Sequence, residues 1–417
     1  MTCHCSRRDF LARGLYGIGL GAGLPVFLSR ATAALTAQAL QGTSMEKHPE
    51  RILVVLELSG GNDGLNTLVP HGDPAYYRAR PRIGIPAHDV LKVTDQFGFH
   101  PSMVGFEKLY KDGRMAVVHG CGYDHPSLSH FSSMSYWHTG VPNAGEALGW
   151  LGRVADDHLD PASKNLIVNI GTSQSLAVRS ARHSPLVFDD PARFRRDGTD
   201  EEKKVLAQFG AGAAPASNAT LDFLTATARN ATDSSDFVRQ ASAAYRTPVD
   251  YGIGNAFGGG LQRVAALIAS GMKTRLYYVS YQGNAFDTHV QQGDVHSRLL
   301  MYTADAVRAF MEDIARIGRA DDVAVMMFTE FGRRVEENGS LGTDHGTAGP
   351  MFLFGTHDRI KGGFYGHAPS LTDLDEGNLK MTTDFRRVYA TAIKEWLGYD
   401  DTDTVLKGRF DTLGAFA

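Results

Sequence analysis

The sequence predicts an α/β protein, a central β-sheet sandwiched between helices. Three observations carry this reading: short β-branched apolar runs recur along the chain, several of them end in polar or glycine-rich loops, and helical patterns fill the intervals between them. Size and composition agree, since 417 residues with 43% hydrophobic and 21% charged side chains suffice for a sizeable core. The 46 glycines fall in short runs, as expected of many tight turns between regular elements.

The chain opens with a segment that reads as targeting rather than fold. Ser6-Arg7-Arg8-Asp9-Phe10-Leu11 places two arginines ahead of an uncharged, glycine-rich apolar stretch from Gly14 to Leu28. This resembles a bacterial twin-arginine (Tat) export signal. Small residues at Ala31-Thr32-Ala33 and Ala37-Gln38-Ala39 suit signal cleavage, and residues 1–33 are taken as the signal peptide. The apolar stretch is shorter than the ~20 residues a membrane helix needs, so no stable span is expected after cleavage. A periplasmic or secreted protein, with the Tat translocase as its partner during export, is the expectation.

Residues 45–417 then read as one domain. Arg51–Leu58 is an apolar, β-branched run that feeds Ser59-Gly60-Gly61-Asn62-Asp63-Gly64, the pattern of a buried strand entering a glycine-rich loop. Met115–His119, Leu166–Ile170, Leu276–Tyr281, Val323–Thr329 and Met351–Phe354 repeat the pattern. Helical spacing covers Pro101–Lys111, Ser129–His138, Leu261–Met272, Ser297–Ile317 and Asp384–Leu397, the last capped by Asp384 and stopped by Gly398. Residues 190–256 are rich in Ala, Ser, Thr and Asp without a strand run, and are expected to form an inserted helical cap.

Charge and cysteine content exclude other classes. Lys+Arg 42 against Asp+Glu 46, with no block of like charge, offers no footprint for nucleic acid. Of three cysteines, Cys3 and Cys5 lie near the start, which leaves Cys121 alone in the bulk of the chain and excludes a disulfide framework there. Gly-x-Ser-x-Gly, P-loop and dinucleotide glycine patterns do not occur.

In an open α/β sheet, ligands bind beyond the carboxyl ends of the strands, so residues just after strands are the candidates for chemistry. Asp63 follows the first run, as an Asx-turn residue or as a ligand. Phe286-Asp287-Thr288-His289 follows the run at 276–281, and Glu330 and Thr343-Asp344-His345-Gly346 follow the run at 323–329. Carboxylate with imidazole is a donor pair suited to Zn²⁺, Mn²⁺ or Fe. Each pair alone is a common loop feature; their joint placement at strand ends carries the metal reading. Ser129, in His125-Pro126-Ser127-Leu128-Ser129-His130-Phe131, stands at a helix start, as a plain N-cap or as a nucleophile facing the helix N-terminus. It is preferred to Ser127 because it adjoins the aromatic-rich helix run. His119, His125, His130 and His138 are an alternative place for a metal, against which their irregular spacing counts.

At these residues a family resemblance enters. Leu56-Glu57-Leu58-Ser59-Gly60-Gly61-Asn62-Asp63-Gly64-Leu65-Asn66, Ser129-His130-Phe131, Gly149-Trp150-Leu151-Gly152-Arg153, Phe286-Asp287-Thr288-His289, Glu330-Phe331-Gly332-Arg333, Gly342-Thr343-Asp344-His345-Gly346 and Thr383-Asp384-Phe385-Arg386 resemble the DUF1501 family of exported bacterial proteins. That family is grouped with the alkaline-phosphatase-like superfamily of phosphatases, sulfatases and phosphodiesterases. The resemblance implies an alkaline-phosphatase-like fold, with Asp63, Asp344 and His345 at one metal site and Ser129 in the nucleophile position. It also implies Asp287 and His289 at a second site, closed by His367 or, second, by His357. The Asp287–His289 spacing of two departs from the superfamily's spacing of four. Arg153 and Arg333, in glycine-flanked turns, are candidates to clamp ester oxygens, or else ion pairs.

The resulting expectation is an exported, metal-dependent hydrolase of phosphate or sulfate esters, with one or two divalent ions, Zn or Mn, and a small-molecule or glycan ester as substrate. The alternative is a non-catalytic exported binding protein that retains the fold. Ser175-Leu176-Ala177-Val178-Arg179 fits the sulfatase maturation pattern, but it lies far from Asp63 in sequence and is taken as coincidence.

Overall fold

A computed structural model of the chain describes residues 47–194 and 233–417, apart from Ile253 and Gln282. The expected signal peptide at 1–33 and much of the expected cap at 190–256 lie outside the described residues.

The main sheet contains β1 (Ile52–Glu57), β2 (Met115–Gly122), β3 (Ile167–Ile170), β4 (Leu186–Phe188), β5 (Leu276–Ser280), β6 (Val323–Phe328), β7 (Gly349–Phe354), β8 (Gly363–Tyr365) and β9 (Thr383–Asp384). Their order across the sheet is β8-β2-β7-β6-β1-β5-β3-β4, with β9 also paired to β2. Every pairing is parallel except those of β7, which runs antiparallel to both β2 and β6. β1 is central, with Leu53 in register with Leu276 on one side and Ala324 on the other. All six of its residues are buried, which is why Ile52 to Leu56 run apolar without alternation before Glu57 closes the strand.

The period-2 geometry of β1 divides the core in two. Ile52, Val54 and Leu56 face one cluster, with helices α1 (Val104–Lys111), α4 (Ala256–Ala269) and α5 (Gln292–Arg316). Leu53 and Val55 face the other, with α2 (His130–Thr139), α3 (Trp150–His158) and α6 (Phe385–Thr391). The sheet therefore lies between two helical layers, as expected. Among the described residues no helix is long and apolar enough to cross a membrane.

The structure revises several element boundaries. Asp384 caps α6 through Arg386 N, but the expected single helix changes to a π-turn at Ala392–Trp396 before ending at Gly398, whose φ is +81°. Helix α3 and strands β4, β8 and β9 lie outside the expected elements. The Gly149-Trp150-Leu151-Gly152-Arg153 motif, read as a turn, is the start of α3. A Cβ on Gly152 would fall 1.9 Å from the Arg179 carbonyl oxygen, so this helix seats against its neighbour only with glycine there. Within the expected cap, residues 233–244 form a helix, and Tyr245, Thr247 and Tyr251 then gather their hydroxyls on Asp313 of α5.

Candidate metal centre

The loops that leave β1, β5 and β6 at their carboxyl ends meet above the centre of the sheet, where α2 also begins. Gly60, with φ +116°, brings the first loop so close to the second that a Cβ would lie 2.6 Å from Asp287 N. Close backbone passage is thus the reason for glycine after β1, and it fixes where Asp287 stands.

Around Asp287 three imidazoles converge. His289 Nε2 lies 3.0 Å and His345 Nε2 3.2 Å from Asp287 Oδ1. His130 Nε2 lies 3.4 Å from Asp287 Oδ2. The Nε2 atoms of His289 and His345 are 2.9 Å apart. Ligand atoms of His130, Asp287 and His345 all fall within 4.8 Å of one another, a spacing able to hold an ion. His289 joins this set through its contacts to Asp287 and His345.

The second nitrogen of each ring is held from outside. His130 Nδ1 is 2.8 Å from Glu330 Oε1, His289 Nδ1 is 3.2 Å from Asp344 Oδ1, and His345 Nδ1 is 2.8 Å from the Leu128 carbonyl oxygen. Each of these partners accepts, so each Nδ1 carries the hydrogen and, in the neutral rings, each Nε2 presents a lone pair. Carboxylate or carbonyl partners behind the ligating rings are the usual arrangement around protein-bound metals. His130 Nε2 is buried and has no hydrogen-bond partner. Lone pairs facing one another with a carboxylate oxygen between them repel unless a cation or added protons intervene, and the donor set suits Zn²⁺ or Mn²⁺.

Local electrostatics favour an ionised carboxylate at the middle. Burial acts to raise the Asp287 pKa, but the hydrogen bond and the charge of Arg333 outweigh it and hold the group at about 2. Glu330, fully buried, accepts from Gly60 N and from the Thr329 hydroxyl and so keeps its oxygen turned to His130. The hydrogen bond to Glu330 raises the His130 pKa against the effect of burial. At the far end of α2, His138 Nε2 meets Glu57 Oε2 at 2.7 Å and the Tyr278 hydroxyl at 2.9 Å, which ties the helix carrying His130 to β1 and β5.

Of the residues expected to bind metal, Asp287, His289 and His345 come together. Asp344 stands behind His289 and is more than half exposed, with Asn338 Nδ2 also on its Oδ1 at 3.0 Å. Asp63 is elsewhere. Its carboxylate is fully buried, caps the Gly64–Thr67 turn, and meets Arg80 Nη1 and Gln292 Nε2 at 2.6 Å each. A buried guanidinium already neutralises it, so the expected Asp63–Asp344–His345 site is not the grouping this fold builds. His367 is exposed on the loop after β8, outside the cluster, and His357 is likewise exposed.

The expected arginine clamps are structural. Arg153 donates to the carbonyls of Thr139, Leu148 and Val405, binding α3 to its surroundings. Arg333 is buried and donates to the carbonyls of Gly60, Gly61, Phe286 and Thr343 and to Asp287, with its Nη1 3.4 Å from His289 Nε2, so it laces the loops together and borders the imidazole cluster. Ser129 is exposed at the start of α2, and its side chain makes no capping bond. Ser127 Oγ instead accepts from Ser129 N at 3.3 Å. Ser175 caps a short 3₁₀ turn through Ala177 N.

Three residues were not foreseen in their roles. His130 had been weighed only for a separate histidine site, Glu330 had no assigned partner, and Arg80 carried no signal. The adjacency of His130 to the serine motif and of Glu330 to Phe331-Gly332-Arg333 was the available clue for the first two. Nothing local marks Arg80 as the partner of Asp63.

A mixed, mostly parallel sheet between two helical layers, with imidazoles and a carboxylate gathered beyond its central strands, defines an α/β protein with a candidate metal centre. The chain belongs to the DUF1501 family, described as "Protein of unknown function (DUF1501)", which matches residues 50–409. A comparison with curated proteins gives no match. Among solved structures, the chain is similar to a protein in the alkaline phosphatase superfamily from Vibrio parahaemolyticus, at 10% identity and TM-score 0.39, covering 88% of this chain and 70% of that one. It is similar to the lipoteichoic acid synthase LtaP from Listeria monocytogenes at 9% identity and TM-score 0.39, covering 90% and 80%. A sulfatase from Pseudoalteromonas sp. is similar at 12% identity and TM-score 0.38, covering 94% and 75%.

Proposed function

We propose that this protein is an exported, metal-dependent hydrolase of phosphate or sulfate esters with one divalent ion, Zn or Mn, held by His130, Asp287, His289 and His345. The observation that carries the reading is the orientation of the three rings: every Nδ1 is held by an outside acceptor and every Nε2 points inward at Asp287. One ion is proposed because Asp63, the carboxylate expected at the other site, is fully buried against Arg80 and apart from the imidazoles.

A bound divalent ion supplies Lewis-acid stabilisation of charge on an ester oxygen. Asp287 and the three histidines hold the position, Glu330 and Asp344 fix the ring orientations, and Arg333 keeps the three loops in register. Ser129, directly before His130, is the candidate nucleophile, placed where the N–H groups at the start of the ten-residue α2 favour an anion.

The second reading, a binding protein without turnover, is favoured by one observation: Arg153 and Arg333 spend their donors on backbone carbonyls and Asp287. Elemental analysis of the purified protein, followed by assay on aryl phosphate mono- and diesters and aryl sulfates, decides between them. Hydrolysis that disappears in Ser129→Ala with metal content retained supports the hydrolase. Bound metal without turnover of any ester supports the binding protein, and loss only in Ser127→Ala moves the nucleophile by two residues.

A further inference from the structure

Strand β2 carries His119 near its carboxyl end, on the face shared with Met115 and Val117. This histidine takes no part in the imidazole cluster. Its ring stacks on Phe364, with centroids 4.9 Å apart and planes 18° from parallel, and its centroid also lies 4.9 Å from that of Phe97. His119 is only 6% exposed, yet neither ring nitrogen has a hydrogen-bond partner among the described residues. A buried polar group left in this way costs free energy that a bound hydrogen-bonding group would offset.

The ring forms part of the wall of a cavity of about 130 Å³. Leu65 from the segment after β1, Phe97, and Leu371 and Leu379 from the segment after β8 make much of the remaining wall apolar. An apolar cavity of roughly 150 Å³ takes one benzene ring, so the space suits a single six-membered ring. Gln96 and Ala368 of the lining are exposed, which opens the cavity to solvent.

Charge limits what else the occupant carries. Among the lining residues Arg333 is the one guanidinium or ammonium group, and its donors are committed to backbone carbonyls and Asp287, while Asp73 adds a carboxylate. An anion therefore finds no free counter-charge. Burial lowers His119 to about 4, so its ring is neutral at ordinary pH, with one nitrogen donating and the other accepting. A hydroxyl both donates and accepts, and so pairs with either nitrogen.

We infer that this cavity is a second ligand site, for a neutral single-ring compound with one hydroxyl, whose ring lies against Phe97 and the leucines and whose hydroxyl bonds to His119. Arg333 lines the cavity and also borders the imidazole cluster, so the two sites share a supporting side chain but no ligating atom. Binding in the cavity needs neither the ion nor turnover of an ester.

Calorimetric titration of the purified protein with phenol, toluene and benzoate at neutral pH is the test. Phenol is expected to bind, and benzoate at least about tenfold more weakly, because no free cation receives its charge. His119→Phe keeps an aromatic ring against Phe364 and removes the nitrogens. Phenol affinity should then fall about tenfold, the cost of leaving a buried hydroxyl unpaired, while toluene affinity holds. Ala368 is exposed, so Ala368→Trp should leave the fold and metal content intact and block entry of phenol and toluene alike. No binding of phenol, benzoate bound as tightly as phenol, or phenol binding untouched by Ala368→Trp would overturn the inference. An equal loss of phenol and toluene in His119→Phe would overturn it as well, since the hydroxyl would then not be held by the ring. If His119→Phe does not fold, the benzoate comparison and Ala368→Trp still decide the outcome.

Discussion

His289 and His345 bring their Nε2 atoms to 2.9 Å of each other while each ring is turned by an acceptor on its Nδ1 side. The two lone pairs, with Asp287 Oδ1 at 3.0 and 3.2 Å, define a point that favours a positive charge, and the Arg333 guanidinium borders it, 2.7 Å from Asp287 Oδ1. Four consequences for the surrounding residues can be measured.

Glu330 orients His130 without touching the ion position. Glu330→Gln keeps an oxygen acceptor for Nδ1 but removes the charge that makes the ring a stronger ligand. Metal affinity is expected to fall roughly 10–100-fold, read by competition with a chromophoric chelator. An unchanged affinity would place His130 outside the centre.

Arg80 and Asp63 form an ion pair in which both side chains are fully buried. Arg80→Met leaves the Asp63 carboxylate without its counter-charge and should destabilise the fold by about 3–5 kcal/mol, with part of the loss recovered in Arg80→Met/Asp63→Asn. Bound metal should stay at one ion per chain in the double variant. Loss of the ion there would return Asp63 to the ligand set.

Gly60 carries both a positive φ and the close contact to the Asp287 backbone. Gly60→Ala should therefore weaken metal binding more than an alanine at Gly254, which also has positive φ but meets nothing within 4 Å. Comparable metal affinity in the two variants would show that contact with the Asp287 loop is not what demands glycine.

Three buried histidines give the stability a pH dependence. Burial lowers His100 and His119 to about 4 and His296 to about 3, below the ordinary value of 6.5. The unfolded chain therefore takes up protons that the folded chain refuses as pH falls below about 6.5, so stability is full above that value and declines toward pH 4. Each histidine adds a slope of up to about 1.4 kcal/mol per pH unit. Burial also acts to raise Asp63, but Arg80 and Gln292 hold it below its usual value, so its contribution is lost only at still lower pH. Denaturant titrations of chelator-treated protein at pH 7.5, 6 and 5 should show the decline, and His296→Gln should reduce it. A flat stability over that range would contradict the assignment of these rings as neutral.

The central strands were legible because each is buried on both faces, a demand that survives as an almost uninterrupted apolar composition in β1, β5 and β6, broken only at the carboxyl ends by Glu57 and Ser280. The carboxyl-end rule then pointed to Asp287, His289 and His345, which lie in loops leaving β5 and β6. Helix α3 escaped notice because Gly149 and Gly152 imitate a turn, and the reason for Gly152, the Arg179 carbonyl against it, lies 27 residues away. What sequence determined by itself was therefore the layered sheet, the family resemblance and the loops where chemistry gathers. Tertiary structure alone decided the membership of the centre. Whether a carboxylate joins the imidazoles or is shut away from them depends on which distant side chains reach it, and it is folding that sets Arg80 against Asp63 and brings His130, held by Glu330 200 residues away, to Asp287.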